Sequence, residues 1–152
     1  LEDRWFHDDD PVDWSRLNSV KGIVRLYHDL VRLRRNLDNV SAGLCGQHIT
    51  VYHMNHDAKV LAYHRWDQGG PGDDVAVILN LANRQLEGYQ IGLPNEGGWV
   101  VRLNTDSRGY DGAFGDVGPA DVPAIGDGAD GMPAAADLTI GPYSALILSR
   151  DA

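Results

Sequence analysis

The sequence predicts a mainly β protein: an antiparallel β-sandwich of the Greek-key type, preceded by one α-helix. Three observations lead to this prediction. A segment in the first quarter of the 152 residues carries apolar side chains at helical spacing. Short β-rich runs then follow at regular intervals, and turns rich in Gly, Asn and Asp separate them. The length suits one ordinary domain, or one domain with a flanking piece.

The helix is predicted for residues 19 to about 37, where apolar residues recur at i, i+3, i+4 and i+7. Asn18 or Ser19 is expected to cap its N-terminus by accepting a backbone N–H hydrogen bond. Arginines follow in the last turns, where positive charge offsets the negative end of the helix dipole. The apolar stripe consists of Ile23, Leu26, Tyr27, Leu30, Leu33 and Leu37.

Period-two patterns after the helix predict six strands. Residues 49–54 and 60–66 are β-rich, and the Asn-His-Asp-Ala sequence between them is typical of a hairpin turn. Residues 75–82 are almost continuously apolar, which predicts a strand buried on both faces. Residues 86–93, 99–103 and 143–149 complete the set. In the second of these three strands, alternation places Trp99, Val101 and Leu103 on one face.

The stretch between Asp106 and Leu138 is rich in Gly, Asp, Ala and Pro and shows no periodicity. Such a length without secondary structure is uncommon inside a compact domain. We therefore expect a functional loop or a mobile excursion there. This loop would account for much of the chain's excess of glycine.

Charge and composition argue against several classes of partner. The chain has 13 basic and 22 acidic residues, for a formal net charge of −9. Nucleic acids and anionic membrane surfaces both require concentrated positive charge, so neither is expected as a partner. No apolar run approaches the roughly 20 residues that span a bilayer. Cys45 is the only cysteine and cannot form an intramolecular disulfide, and we expect a cytoplasmic protein.

The acidic residues do not form a recognisable catalytic pair. A glycosidase needs an acid and a nucleophile or base about 5–10 Å apart. Glu2, Asp3 and the three aspartates at 8–10 are clustered in an irregular segment, which is far more often a solvated face. Cys45 has no recognisable base in the surrounding sequence, so a small buried thiol is expected. We assign no catalytic residue.

No metal or cofactor site is predicted either. His53, His56 and His64 have no Cys or Glu partner at zinc-site spacing, so we expect ordinary sheet-surface or core histidines. Residues 127–131, Asp-Gly-Ala-Asp-Gly, superficially suggest calcium. They lack the alternating acidic ligands and the distal Glu of an EF-hand, which favours a flexible loop.

Aromatic side chains are the remaining route to a ligand. Sugar rings have apolar faces that pack on Trp or Tyr, while polar groups fix the hydroxyls. Trp66, Trp99 and Tyr110 lie at strand ends or in the long loop, where they could contact a glucan. Large aromatic residues at strand positions more often belong to a core, so both interpretations stay open.

Several motifs taken together resemble a known family. Residues 77–84 read VILNLANR, residues 88–94 read GYQIGLP, and residues 97–106 read GGWVVRLNTD, followed by Tyr110-Asp111-Gly112. Residues 2–6, EDRWF, and 12–14, VDW, precede the helix. The combination resembles the C-terminal all-β domain of α-amylase-superfamily enzymes, most closely that of bacterial 1,4-α-glucan (glycogen) branching enzymes. Two departures, Ala-Asn-Arg at 82–84 and Asp111 in place of Gly, favour a divergent branching enzyme or an amylase-like relative.

The resemblance implies that residues 1–38 are the last segment and helix of a catalytic (β/α)8 barrel, and that residues 39–152 are the sandwich. The barrel upstream would then be the partner, with the Ile23/Leu26/Leu30/Leu33 stripe at its flank. The family's catalytic carboxylates lie on barrel strands that precede residue 1, so this chain would be inactive alone.

The resemblance leaves three roles open. The domain could stabilise the barrel of a branching enzyme, or it could bind α-glucan and guide the substrate through Trp66, Trp99 or Tyr110. It could also be the same domain of a hydrolytic α-amylase.

Overall fold

The computed structural model describes residues 13–119 and 121–152. In these residues a 3₁₀-helix, Trp14–Asn18, leads into the helix α1, Lys21–Arg34, and a second 3₁₀-helix, Ala42–Leu44, follows. The strands are β1 (His48–Asn55), β2 (Val60–Trp66), β3 (Val75–Asn80), β4 (Leu86–Leu93), β5 (Gly97–Asn104), β6 (Asp121–Ala124), β7 (Ala134–Ile140) and β8 (Ala145–Ser149). The mainly β, antiparallel fold with one preceding helix is therefore confirmed.

The strands form a six-stranded sheet in the order β1-β2-β3-β8-β5-β6 and a two-stranded sheet of β4 and β7. All pairs within the sheets are antiparallel. Just beyond β6, Ile125 exchanges two backbone hydrogen bonds of 2.9 Å with Ala135 in β7, which links the sheets along one side. The spatial order β8-β5-β6-β7 is that of a Greek key, in which the fourth strand returns beside the first.

The main core lies between the two sheets. Large side chains from both sheets have no solvent exposure, and Trp99 of β5 is the largest of them. Side chains of β3 alternate between this core and the opposite face of the sheet, and both sets are buried. This confirms the prediction of a central strand buried on both faces. The other fully buried large side chains include Ile78, Ile91, Leu93, Leu138, Ile140, Leu146 and Leu148.

A second core forms where α1 packs on the outer face of the large sheet. Leu26, Leu30 and Leu33 of α1 lie against side chains that point away from the main core. Those sheet residues are Val75, Val77, Leu103 and Ile147. Complete burial of a leucine contributes about 1.5–3 kcal/mol, so this contact fixes α1 to the sheet. The predicted stripe is thus divided: Leu26, Leu30 and Leu33 face the sheet, whereas Ile23 is 58% exposed and Leu37, which lies beyond the end of α1, is 50% exposed.

The N-terminus of α1 differs from the prediction. The capping position is occupied by Val20, with no side-chain hydrogen bond, rather than by Asn18 or Ser19. The Ser19 hydroxyl donates instead to the Arg16 carbonyl at 2.8 Å. The preceding 3₁₀-helix uses this serine, because its own last turn also needs hydrogen-bond partners.

A bulge in β5 separates Leu103 from Trp99 and Val101. Val101 pairs with Leu148 and Leu103 pairs with Ile147, so Arg102 is an extra residue in the strand. Trp99 and Val101 pack into the main core, whereas Leu103 packs into the second core under α1. The expectation that all three lie on one face was therefore wrong for Leu103, because a bulge reverses the alternation.

The expectation of a long loop between Asp106 and Leu138 was wrong for β6 and β7, which lie within it. Alanine occupies half of the inward positions, namely Ala124 in β6 and Ala134 and Ala136 in β7, and Pro123 lies in β6. Alanine and proline are poor predictors of strands, so the pattern was missed. Residues 107–118 do form an irregular loop. The Asp106 carboxylate holds it by accepting the backbone N–H groups of Gly115 and Val117.

Candidate functional site

The outer face of α1 is apolar and faces solvent. Ile23, Tyr27 and Val31 are 58%, 64% and 51% exposed, and they are spaced by four residues along one face of the helix. The neighbouring Val20 and Val24 are exposed as well. A groove of about 470 Å³ runs beside them, lined by Leu17, Asn18, Lys21, Val24, Arg25 and His28. Because contiguous exposed apolar side chains mark interaction sites, this outer face is the candidate functional site.

The loop 107–118 holds the inner side of α1 at three points. A Cβ atom on Gly22 would lie 1.7 Å from the backbone oxygen of Tyr110, so only glycine allows this approach. Arg25 donates from Nη1 to the Gly109 carbonyl at 3.2 Å, and the Tyr110 hydroxyl donates to Asp29 Oδ2 at 2.9 Å. Burial and this bond to a carboxylate raise the pKa of Tyr110 to about 12. Tyr110 thus positions α1 on the sheet.

Trp99, one of the predicted glucan contacts, is completely buried. Its indole Nε1 donates to the Asn95 carbonyl at 2.9 Å, so the polar atom of the ring is also satisfied. A buried ring offers no face to a sugar, which corrects the placement of Trp99 among possible contacts. Its role is to pack in the core between the sheets.

Trp66 lies at the end of β2 in a stack of three rings. His64 and His48 stack on it with centroid distances of 4.4 and 5.2 Å and interplanar angles of 17° and 18°. His48 pairs with Trp66 across the strands, and His64 is two residues earlier on the same face. These ring contacts compete with any sugar that would stack on Trp66.

His64 also belongs to a buried polar cluster. Its Nε2 lies 2.9 Å from Asp74 Oδ1, while Asp74 Oδ2 accepts from Gly70 N and Asn95 Nδ2. Burial disfavours ionisation of Asp74, but the hydrogen bonds outweigh it and lower the pKa of this carboxyl. Because Asn95 also accepts from Trp99, the cluster ties the β2–β3 turn to the β4–β5 turn.

His53 connects the two sheets on the side where β1 lies beside β4. This side is opposite the link between β6 and β7. Its Nδ1 lies 2.8 Å from Asp130 Oδ1, and its Nε2 lies 2.8 Å from the Tyr89 hydroxyl. Asn55 also donates to that hydroxyl, and Asp130 accepts from the Gly92 backbone N–H. These bonds connect the edge strands β1 and β4 through side chains, which gives His53 a structural task.

Two asparagines of the motifs at residues 77–84 and 97–106 stabilise turns through side-chain hydrogen bonds. Asn80 is fully buried; its Nδ2 donates to the carbonyls of Arg84 and Gly141, and its Oδ1 accepts from Ala82 N. Asn104 donates to the Val117 carbonyl and accepts from Asp106 N. A buried amide such as that of Asn80 must be satisfied, and the partly buried amide of Asn104 is satisfied as well. The motifs therefore mark fold-determining turns.

The other sequence candidates contribute little to a site. Glu2, Asp3 and the aspartates at 8–10 lie outside the described residues. Cys45 is exposed, not buried as expected, because it follows the second 3₁₀-helix at the surface, where its thiol donates to the Arg34 carbonyl. Within residues 13–119 and 121–152, no three His, Cys, Asp or Glu side chains are grouped as metal ligands. No helix in those ranges combines the length and apolar character that crossing a bilayer requires.

The fold and this site define a class: an all-β domain that presents an apolar helix face next to its larger sheet. Comparison of the sequence with protein families gives the particular family. The family described as the alpha amylase C-terminal all-beta domain matches residues 51–151, and the chain belongs to it.

Curated relatives are similar over most of the chain. The 1,4-alpha-glucan branching enzyme GlgB of Cupriavidus pinatubonensis is 33% identical, over 96% of this chain and 20% of its own length. The enzyme of that name from Leifsonia xyli subsp. xyli is 41% identical, over 59% of this chain and 12% of its own. The chain thus spans at most about a fifth of these two relatives. A crystal structure of alpha-amylase from H. orenii is 17% identical with a TM-score of 0.49, over 95% of this chain and 24% of that one.

Proposed function

We propose that this chain is a non-catalytic accessory domain of a larger α-glucan-active enzyme and that it stabilises the catalytic barrel of that enzyme. The exposed outer face of α1 is the observation that carries the proposal. The inner face of the helix already has a partner in the large sheet, so a second apolar face is expected to have a second partner. The much greater length of the relatives supplies a candidate for that partner.

The competing role, glucan binding by the predicted aromatics, has less support. Trp99 is buried, both histidine rings stack on Trp66, and the Tyr110 hydroxyl is bonded to Asp29. An aromatic sugar platform needs an accessible ring face. The contacts of the three residues therefore favour structural roles, and the docking role of α1 is the better proposal.

A matched pair of variants in the full-length parent tests the docking role. Ile23→Gln changes the outer face of α1, and Ile125→Gln changes an equally exposed isoleucine beside the small sheet. Glutamine favours helices more than isoleucine does, so helix propensity alone would stabilise the first variant. We expect Ile23→Gln to lower the free energy of unfolding of the parent by about 2 kcal/mol, because a buried isoleucine is lost. Equal stability of the two variants would contradict the proposal.

We further propose that the parent transfers α-1,4-glucan chains to a 6-hydroxyl, as the names of the relatives suggest. The alternative is hydrolysis by an amylase. The two reactions differ in products, because hydrolysis releases a new reducing end and transfer to a hydroxyl conserves their number. A fall in iodine staining of amylose without new reducing ends would support branching. Accumulation of reducing ends in proportion to the loss of staining would exclude it.

A further inference from the structure

The strand β1 carries a second exposed apolar surface, formed by Ile49, Val51 and Met54. These side chains are 57%, 55% and 64% exposed, although they belong to a strand of eight residues. They lie at one edge of the large sheet, where, among residues 13–119 and 121–152, β1 pairs with β2 alone. An exposed apolar edge strand promotes unwanted association, and proteins normally cover or charge such edges. We call this surface the β1 patch, and we expect a partner to cover it.

Strand register places the β1 patch on the same side of the sheet as α1. Val51 pairs with Tyr63 and Met54 pairs with Leu61, so the side chains of each pair share a face. Tyr63 packs against the second core, the cluster to which Leu30 and Leu33 of α1 also belong. The outer face of the sheet thus runs from the second core to the β1 patch, with the second 3₁₀-helix packed on β2 and β3 beside it.

The helix α1 and the outer face of the sheet at β1 lie at two levels, and together they form a surface that we call the step. The exposed side chains of α1 make its upper surface, and the β1 patch makes its lower surface. The bulge between Val51 and His53 keeps the step apolar, because it moves Met54 onto the outer face with Val51. On the opposite face of β1, His53 and Asn55 bind Tyr89 instead. The apolar character is therefore confined to the side that α1 occupies.

We propose that the catalytic unit of the parent chain occupies this step and contacts the β1 patch as well as α1. The inference rests on the proposed function and extends it to a second surface with its own residues. Two observations select this occupant: the β1 patch lies on the α1 side of the sheet, and the relatives hold four-fifths of their length outside the matched segment. A partner that docks on α1 is thereby brought alongside the β1 patch, and burying both surfaces costs no second association step.

Hydroxyl-radical footprinting of the full-length parent tests both surfaces without any substitution. The oxidation rates of Met54 and Tyr27 are measured by peptide mass spectrometry and divided by their rates in the urea-unfolded chain. Met132, in the loop beside the small sheet, is the internal methionine control. We expect both Met54 and Tyr27 to be protected severalfold more than their exposures of 64% in the isolated fold would allow.

The outcomes separate the two proposals. Protection of Tyr27 with rapid oxidation of Met54 would overturn the inference about the β1 patch and leave the docking of α1 intact. Rapid oxidation of both residues would overturn both. Protection of Met54 that is lost at higher dilution of the parent would indicate a second copy as the occupant, which also overturns the inference.

A pair of substitutions on β1 gives an independent test. Val51→Lys places a charge in the β1 patch, whereas Thr50→Lys places the same charge on the other face of the same strand, also at an exposed position. In the parent we expect Val51→Lys to lower the unfolding temperature by several degrees and to expose Met54 to oxidation, with little effect from Thr50→Lys. Equal effects of the two lysines would contradict the inference.

Discussion

Gly22 decides how closely α1 approaches the loop 107–118, and replacing it with alanine perturbs only that approach. Alanine is the strongest helix former, so the local effect of Gly22→Ala within α1 is a gain of about 1 kcal/mol. The tertiary effect has the opposite sign, because the new Cβ would lie 1.7 Å from the Tyr110 oxygen. The atom in the way belongs to the backbone, and no side-chain rotation can remove it.

The size of the loss follows from what the helix must give up. To restore an ordinary contact distance, α1 and the loop must separate by more than about 1.5 Å. That movement breaks the bond from Tyr110 to Asp29 and the bond from Arg25 to Gly109, each worth about 1 kcal/mol net. Overpacking in the remaining contacts adds about 1–3 kcal/mol. After subtraction of the helix gain, we expect a net loss of about 2–4 kcal/mol.

Urea unfolding of the variant, followed by circular dichroism and tryptophan fluorescence, measures this loss. Gly112→Ala is the matched control, because it lies in the same loop and its Cβ would meet nothing within 4 Å. We expect the control to change the free energy of unfolding by no more than about 0.5 kcal/mol. If Gly22→Ala proves as stable as the original chain, or more stable, the close approach of α1 to Tyr110 does not hold the helix.

Three further predictions concern buried polar groups. Since the pKa of Tyr110 is raised to about 12, its contribution to stability is complete below about pH 10 and is lost by about pH 12. Tyr110→Phe should therefore reduce the fall of the unfolding free energy between these two pH values. An unchanged fall would contradict the raised pKa of Tyr110. The pKa of Asp74 is lowered, so its contribution is present above about pH 4 and is lost as the pH falls further. Asp74→Asn should reduce the acid dependence of unfolding, and retention of the full dependence would shift the cause to other carboxyls. Asn80→Ala removes the partner of two carbonyls and one N–H, of which the Gly141 carbonyl is buried, and should cost about 2–4 kcal/mol in urea unfolding. A loss below about 1 kcal/mol would mean that these groups re-pair with water.

Strand positions could be predicted wherever large side chains made the alternation visible. Strand β4 begins and ends at the predicted residues 86 and 93, and the hairpin of β1 and β2 surrounds the predicted turn. Strand β7 was not predicted, because three consecutive alanines hide the alternation of its buried and exposed positions. The pairing of β7 with β4 and its link to Ile125 are long-range contacts that the local sequence does not contain.

The division of α1 into two apolar faces could not be predicted from the helical stripe. The sequence places Ile23 and Leu26 in one stripe, yet the structure buries the leucine and leaves the isoleucine exposed. Periodicity identifies an apolar helix but does not say how many partners share it. The same limit applies to Trp66, whose stacking partner His48 is fixed by strand register and not by any local motif.

The position of β8 in the large sheet affects how the chain folds during synthesis and how it responds to truncation. The large sheet consists of a three-stranded part, β1 to β3, and a two-stranded part, β5 and β6, and only β8 lies between them. Strand β8 follows the other described strands in sequence. During synthesis, the two parts of the large sheet therefore cannot pair through β8 until residues 145–149 have emerged from the ribosome. A truncation that removes these five residues would therefore leave two fragments of the large sheet that no strand pairing within this sheet joins, each with an additional unpaired edge, and such fragments are expected to aggregate.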